Sequence, residues 1–182
     1  MVWGVIAAAA LLSAPPEYNS RAYAAVRVGH TWIKDVGSQE LNLRRRTNAG
    51  GIVAGYRLTP TAAIELAYDH LYRDTYTLES ETAVKPHFTA DVTETNISAV
   101  VSAPVSARWS LYIRPGYGRT REKIAADNID GFAKINTVHN ALFVGFGGSY
   151  YVSKYSFLRL EARSIGEAKD RLNLSVTYAF SF

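Results

Sequence analysis

Cysteine is absent from the 182 residues, so neither a disulfide framework nor a thiolate metal site can be built. Methionine occurs once. No segment beyond the N-terminal region approaches the ~18 consecutive apolar residues of a membrane-spanning helix, which excludes helical spans. Motifs for chemistry are missing too: there is no H-E-x-x-H, no calcium loop and no glycine-rich phosphate loop. "GFGG" at 145–148 sits inside an alternating segment with no helix pattern after it. Lysine avoids the periodic segments. Lys34, Lys85, Lys123, Lys134, Lys154 and Lys169 all fall in predicted loops, turns or strand ends, whereas several arginines fall inside the periodic segments. The formal charge of +4 is modest, and the one dense basic cluster, Arg44, Arg45 and Arg46, has no nucleic-acid-binding fold around it.

The residues that are plentiful favour β structure. Twelve tyrosines and thirteen glycines accompany short apolar runs, a composition of strands and tight turns. The length suits one domain. "MVWGVIAAAALLSAPPEYNSRA" opens the chain with an apolar run and small residues after it, as a secretory signal does. Residues 1–22 are therefore expected to be a signal peptide and residues 23–182 the folded domain.

Eight segments of period two follow, at 23–33, 49–58, 62–72, 95–103, 109–119, 140–152, 156–164 and 172–182. Their connections alternate in length. Residues 59–61, 104–108 and 153–155 are short, whereas 34–48, 73–94 and 120–139 are long. Short and long connections thus gather at opposite ends of an up-and-down sheet. Eight antiparallel strands of about ten residues predict an all-β fold, an eight-stranded antiparallel barrel.

Alternation alone does not say which face points inward. A soluble lipocalin-like carrier would bury the apolar face, and a membrane barrel would show it to lipid. One parity mixes tiny residues with Arg27, Arg57, Glu65, Asp69, Arg114, Arg159, Glu161 and Arg163, and contains no lysine. A cramped eight-strand interior needs small residues around a few long ones, and arginine suits buried carboxylate pairs through its planar fork. The other parity is aliphatic in mid-strand, with Trp32, Tyr56, Tyr72, Trp109, Tyr117 and Tyr150 toward the ends. An aliphatic band between aromatic girdles is the lipid-facing pattern of a transmembrane barrel.

"GYRLTPTAAIELAYDHLY", "LYIRPGYGR" and the final "LSVTYAFSF" resemble the small outer-membrane barrels of Gram-negative bacteria, the OmpA-type and opacity-type surface proteins. The resemblance spans all eight segments. It implies an outer-membrane location with both termini periplasmic. It also implies that Tyr178, Phe180 and Phe182 form the signal read by the barrel-insertion machinery.

The inward charges are expected to pair as a plug; a gated path for small solutes is the alternative. Arg44, Arg45 and Arg46 in the first long loop suit lipopolysaccharide phosphates, acidic glycans or a host receptor. A lipid A-modifying hydrolase would need a serine, a histidine and a carboxylate grouped near the rim. By parity His30 and His70 face lipid, His87 lies in a loop, and His139 faces inward with no serine beside it. The expectation is therefore a non-enzymatic protein without cofactor or metal. Its role is structural or interactive: envelope integrity, adhesion or recognition through its loops. A low-conductance porin is the alternative, with a lipid A enzyme and a soluble carrier behind it.

Overall fold

The computed structural model describes residues 20–33, 45–77, 87–127, 135–165 and 171–182. Residues 1–19, including most of the expected signal peptide, lie outside them. Eight strands, all antiparallel to their neighbours, close into a barrel in sequence order. They are β1 (Ala22–Ile33), β2 (Arg45–Thr59), β3 (Ala62–Thr77) and β4 (His87–Pro104). The second half comprises β5 (Trp109–Asp127), β6 (Ile135–Tyr151), β7 (Ser156–Ile165) and β8 (Arg171–Ser181). Strand β8 pairs with β1, from Tyr23 opposite Ser181 to Ile33 opposite Arg171, so no sheet edge is left open.

The short turns are set by hydroxyls. Ser106 Oγ accepts from the Trp109 amide at 3.1 Å and the Arg108 amide at 3.3 Å. Ser153 Oγ accepts from the Tyr155 and Ser156 amides, both at 3.1 Å. These side-chain bonds act together with backbone bonds across the same turns, from the Val105 amide to Trp109 O at 2.8 Å and from the Val152 amide to Ser156 O at 3.0 Å.

Register fixes the barrel's size. Starting at Tyr23 and stepping through paired residues, the circuit runs Gly55, Glu65, Ser98, Gly116, Phe143, Ile165 and Arg171 and returns to Ile33. The offset from Tyr23 to Ile33 is ten residues, a shear that tilts eight strands by roughly 40°.

Several strands outrun the segments read from sequence. β2 begins at Arg45, β3 runs to Thr77, β4 starts at His87, β5 reaches Asp127 and β6 starts at Ile135. The expected long loops at 34–48, 73–94 and 120–139 are correspondingly shorter, and His87 opens a strand rather than lying in a loop. All these extensions lie at the long-connection end. There most of the outward residues are polar, as Thr93, Thr95, Arg119 and Arg121 show against Val138, so the apolar half of the alternation fades while the hydrogen-bonded ladder continues. Within the span the β4–β5 pairing lapses between Ser98↔Gly116 and Val101↔Ile113. Pro115 lies in that gap and has no N–H to donate.

The aliphatic parity faces out along every strand. Val28, Ile52, Leu66, Leu111, Leu142 and Leu160 are all exposed, with Leu142 at 74%. In water such a surface would aggregate; in lipid it is the required solvent contact. The charged parity faces in. Large inner side chains lie on glycines: a Cβ on Gly55 would sit 2.1 Å from Tyr23 Cζ, and one on Gly116 would sit 2.3 Å from Phe143 Cζ.

Candidate functional site: the charged barrel interior

Alternation places inward residues two apart on each strand, and the spacing of the charges sorts them into two layers. Glu65 and Asp69 are four residues apart on β3, so they are separated by about 13 Å along the strand. On β7, Arg159, Glu161 and Arg163 share the inward parity and span the same depth.

The layer nearer the short turns centres on Glu65. It accepts from Arg114 Nη1 at 3.1 Å, from Arg159 Nη1 at 2.5 Å and from Tyr23 Oη at 2.5 Å. The other guanidinium nitrogen of Arg114, Nη2, donates to Glu161 at 2.9 Å, and Tyr112 Oη donates to the same carboxylate at 3.1 Å. Arg159 also lies over the Tyr112 ring, 4.6 Å from its centroid. Glu65 and Arg114 are completely buried.

The second layer centres on Asp69. Arg27 Nη1 donates to both its oxygens, at 3.0 and 3.2 Å. Asn96 Nδ2 donates to Asp69 at 3.1 Å and to Glu94 at 2.8 Å. Arg163 Nη1 donates to Glu94 at 2.9 Å and approaches Asp69 at 3.4 Å. Arg114 of the first layer and Arg163 of the second both lie 5.1 Å from the Phe143 ring centroid.

Each layer holds two arginines and two carboxylates, so each is neutral. Buried charge is tolerated only when it is paired and hydrogen-bonded in this way. Arg57 belongs to neither layer. It donates to Ser20 O at 2.9 Å and Ser181 Oγ at 3.0 Å at the short-turn rim, and its guanidinium lies 4.9 Å from the Tyr23 ring centroid. Beside it, Ser20 Oγ donates to Phe182 O.

Apolar side chains close both ends of the plug. Tyr23, Ala63, Val100, Tyr112, Phe157 and Ala179 pack together toward the short turns, in a cluster that continues inward to Ala25, Val53 and Ala67. Leu71, Ala90 and Val92, with Ala49 and Ile124 against them, pack at the other end. Between Arg27, Asp69, Leu71 and Arg163 the remaining space is too small for a water molecule.

Sequence reasoning missed Glu94, the fourth carboxylate, and Asn96 beside it. Glu94, Asn96 and Ser98 share the inward parity, but Glu94 is flanked by Thr93 and Thr95. With no apolar residue outside, the period-two signal fades there, and the sequence pattern puts Glu94 at the end of the long connection 73–94. Tyr112 and Tyr23 lie within the fifth and first periodic segments, whose pattern gives no sign that their hydroxyls reach the carboxylates.

Other candidate residues lie elsewhere. Tyr56, Trp109 and Tyr150 lie toward the short-turn end, with Trp109 and Tyr150 ring centroids 4.8 Å apart. Tyr178, Phe180 and Phe182 are exposed beside them. Trp32, against the His30 ring at 4.7 Å, and Tyr117 lie toward the other end. Tyr72 follows a bulge between His70 and Tyr72 and stands opposite Val92. Its side chain lies outside the described residues, as do all of Arg44 and the side chains of Arg45 and Arg46. His70 faces outward and meets Asp91 Oδ2 at 3.4 Å. His139 is paired with inward-facing Thr120 and so keeps the expected inward parity; it is exposed because it stands at the end where the strands rise beyond the plug.

The outer membrane protein beta-barrel domain family model matches residues 4–180. No curated protein matches the chain. Among solved structures, Neisserial surface protein A superposes with a TM-score of 0.63 at 16% identity, covering 88% of this chain and 97% of that one. The N-terminal barrel of Pseudomonas aeruginosa OprF gives 0.57 at 14% identity, covering 90% and 98%. Ail, the attachment invasion locus protein of Yersinia pestis, gives 0.55 at 11%, covering 89% and 97%.

Proposed function

Because the chain belongs to the outer membrane protein beta-barrel domain family, we propose that it is a non-conducting, non-enzymatic membrane scaffold that displays its long connections for surface interaction. The observation that carries this reading is the sealed interior. Two neutral charge layers lie between two apolar caps, so the lumen serves rigidity rather than passage. Work at the surface then falls to the three long connections and the strand ends that carry them.

In this reading both termini are periplasmic and the long connections are extracellular. The barrel is embedded among outer-membrane lipids and lipopolysaccharide, and the insertion machinery reads the exposed Tyr178, Phe180 and Phe182. The basic run Arg44, Arg45 and Arg46, which the first connection delivers into the start of β2 at Arg45, would favour anionic partners. A structure of Ail with the heparin analogue sucrose octasulfate makes sulfated glycans a natural first probe of the loops.

Gel migration of detergent-purified protein tests the membrane reading. A closed membrane barrel stays folded in detergent until heated, so the unboiled sample should run as a separate compact band. No shift, with protein soluble in plain buffer, would turn the barrel inside out. Protease or tag accessibility on intact cells tests orientation: the long connections should be reached and the short turns protected.

A further inference from the structure

The mouth of the barrel at the short-turn end holds a small cavity that the two charge layers do not fill. Arg57 and Arg159 line it together with Phe157, Tyr151, Ser102 and Thr61. Parity and height bring them there: Arg57, Ser102, Phe157 and Arg159 face inward near the short-turn ends of β2, β4 and β7. The turn between β2 and β3 forms the rim. Thr61 O accepts from the Ser102 amide at 2.7 Å, and Thr59 Oγ1 accepts from the Thr61 amide at 3.3 Å. The cavity measures about 20 Å³, room for one occupant the size of a water molecule.

Two guanidiniums converge on this space. Arg57 and Arg159 lie against the same Phe157 ring, 5.5 and 5.3 Å from its centroid, and both side chains are buried. Arg159 commits Nη1 to Glu65, while its Nε is buried with no hydrogen-bond partner. Arg57 donates to a carbonyl, Ser20 O, and a hydroxyl, Ser181 Oγ. Like charges that share a largely dry cavity repel. A small anion between them offsets the repulsion and supplies an acceptor. The hydroxyls of Thr61, Ser102 and Tyr151 add donors around it. Phosphate, sulfate and carboxylates exceed the space, whereas a single halide fills it.

We infer that this cavity binds one chloride ion, held between Arg57 and Arg159. The site goes beyond the scaffold reading and depends only on the closed barrel. In the orientation proposed above it opens to the periplasm. The ion bridges β2 and β7 across the mouth. It goes no deeper, because the Glu65 carboxylate behind Arg159 repels an anion and the Tyr23 ring closes the way inward.

The test is the chlorine NMR linewidth with full-length protein folded in detergent, in gluconate buffer with added chloride. A bound, exchanging chloride broadens the signal, and bromide should displace it and remove the excess width. Sulfate at matched ionic strength should not. Arg57→Gln should weaken the apparent chloride affinity about tenfold. Ser102→Val leaves both guanidiniums in place and fills the cavity, so it should abolish the displaceable broadening. Arg108→Gln, on an exposed turn at the same end, should change nothing. Broadening that survives Ser102→Val, an affinity unchanged in Arg57→Gln, or equal loss in Arg108→Gln overturns the site, as does sulfate competing as well as bromide. If one of the two cavity variants gives no compact unboiled band, the other decides by the same criterion. A parent protein without a heat-shifted band fails the membrane reading; one with the band and no bromide-displaceable broadening fails only this site.

Discussion

Glu65 shows how strongly one residue constrains the interior. It is fully buried and takes bonds from Arg114, Arg159 and Tyr23. Glu65→Gln keeps the shape but removes the charge, leaving its layer with two arginines and one carboxylate. Removing one member of a buried pair costs about 3–5 kcal/mol. The expected outcome is a lower urea midpoint in vesicles and a lower temperature for loss of the compact gel band. Gly55 acts on the same layer from the wall. A methyl there would overlap the Tyr23 ring, so Gly55→Ala should displace the Tyr23 hydroxyl from Glu65 at about 1–3 kcal/mol. If that is the mechanism, Gly55→Ala and Tyr23→Ala will not add: the double variant should lose little beyond Tyr23→Ala alone. Additive losses measured in the same unfolding series would mean that Gly55 matters for another reason. The inward charges were legible because arginine and carboxylate share a parity with glycine and alanine. The layering was not, since it depends on which strands face each other across the lumen.

At the scale of the strand, each mid-membrane residue answers to lipid on one side and to the plug on the other. Leu66 is outward on β3 at the centre of the apolar run Ile64, Leu66, Tyr68, and lies between Ala54 and Ile97 on the flanking strands. Leu66→Arg should cost about 2–4 kcal/mol in a bilayer. Thr95→Arg, one outward step beyond Ile97 on β4, should cost close to nothing. Equilibrium unfolding in vesicles compares the two, and equal costs would move the membrane boundary away from the paired Ile97 and Tyr117. The same boundary explains what the sequence disclosed. Between the girdles the alternation is unbroken, so all eight strands and both faces could be read. Above Tyr117 and His70 the outward residues turn polar, and strand could not be told from loop by period. The bulge at His70/Tyr72 shifts the β3 register, so parity counted from Ile64 no longer places Tyr72. Pro115, which usually argues against a central strand, is accommodated by a local lapse in β4–β5 pairing.

The whole molecule is a closed cylinder whose contents decide whether it conducts. Eight strands leave room for side chains and little else, and here those side chains occupy the lumen in four tiers: apolar cap, neutral layer, neutral layer, apolar cap. An ion entering would have to displace Leu71 or Tyr23 and then break pairs such as Arg27–Asp69 or Arg114–Glu65. Those pairs are held by packing on Phe143 and by tyrosine and asparagine donors as well as by charge, so breaking one does not free a continuous path. The parent protein should therefore be silent in a planar bilayer at moderate voltage. Leu71→Ala should be silent too, because removing one cap residue still leaves both charge layers in place. Steady discrete openings from protein that gives a single compact unboiled band would show that the plug rearranges as a unit, and would restore the porin reading. Openings only in preparations with partly unfolded protein would not, since a broken barrel leaks without any path through its interior.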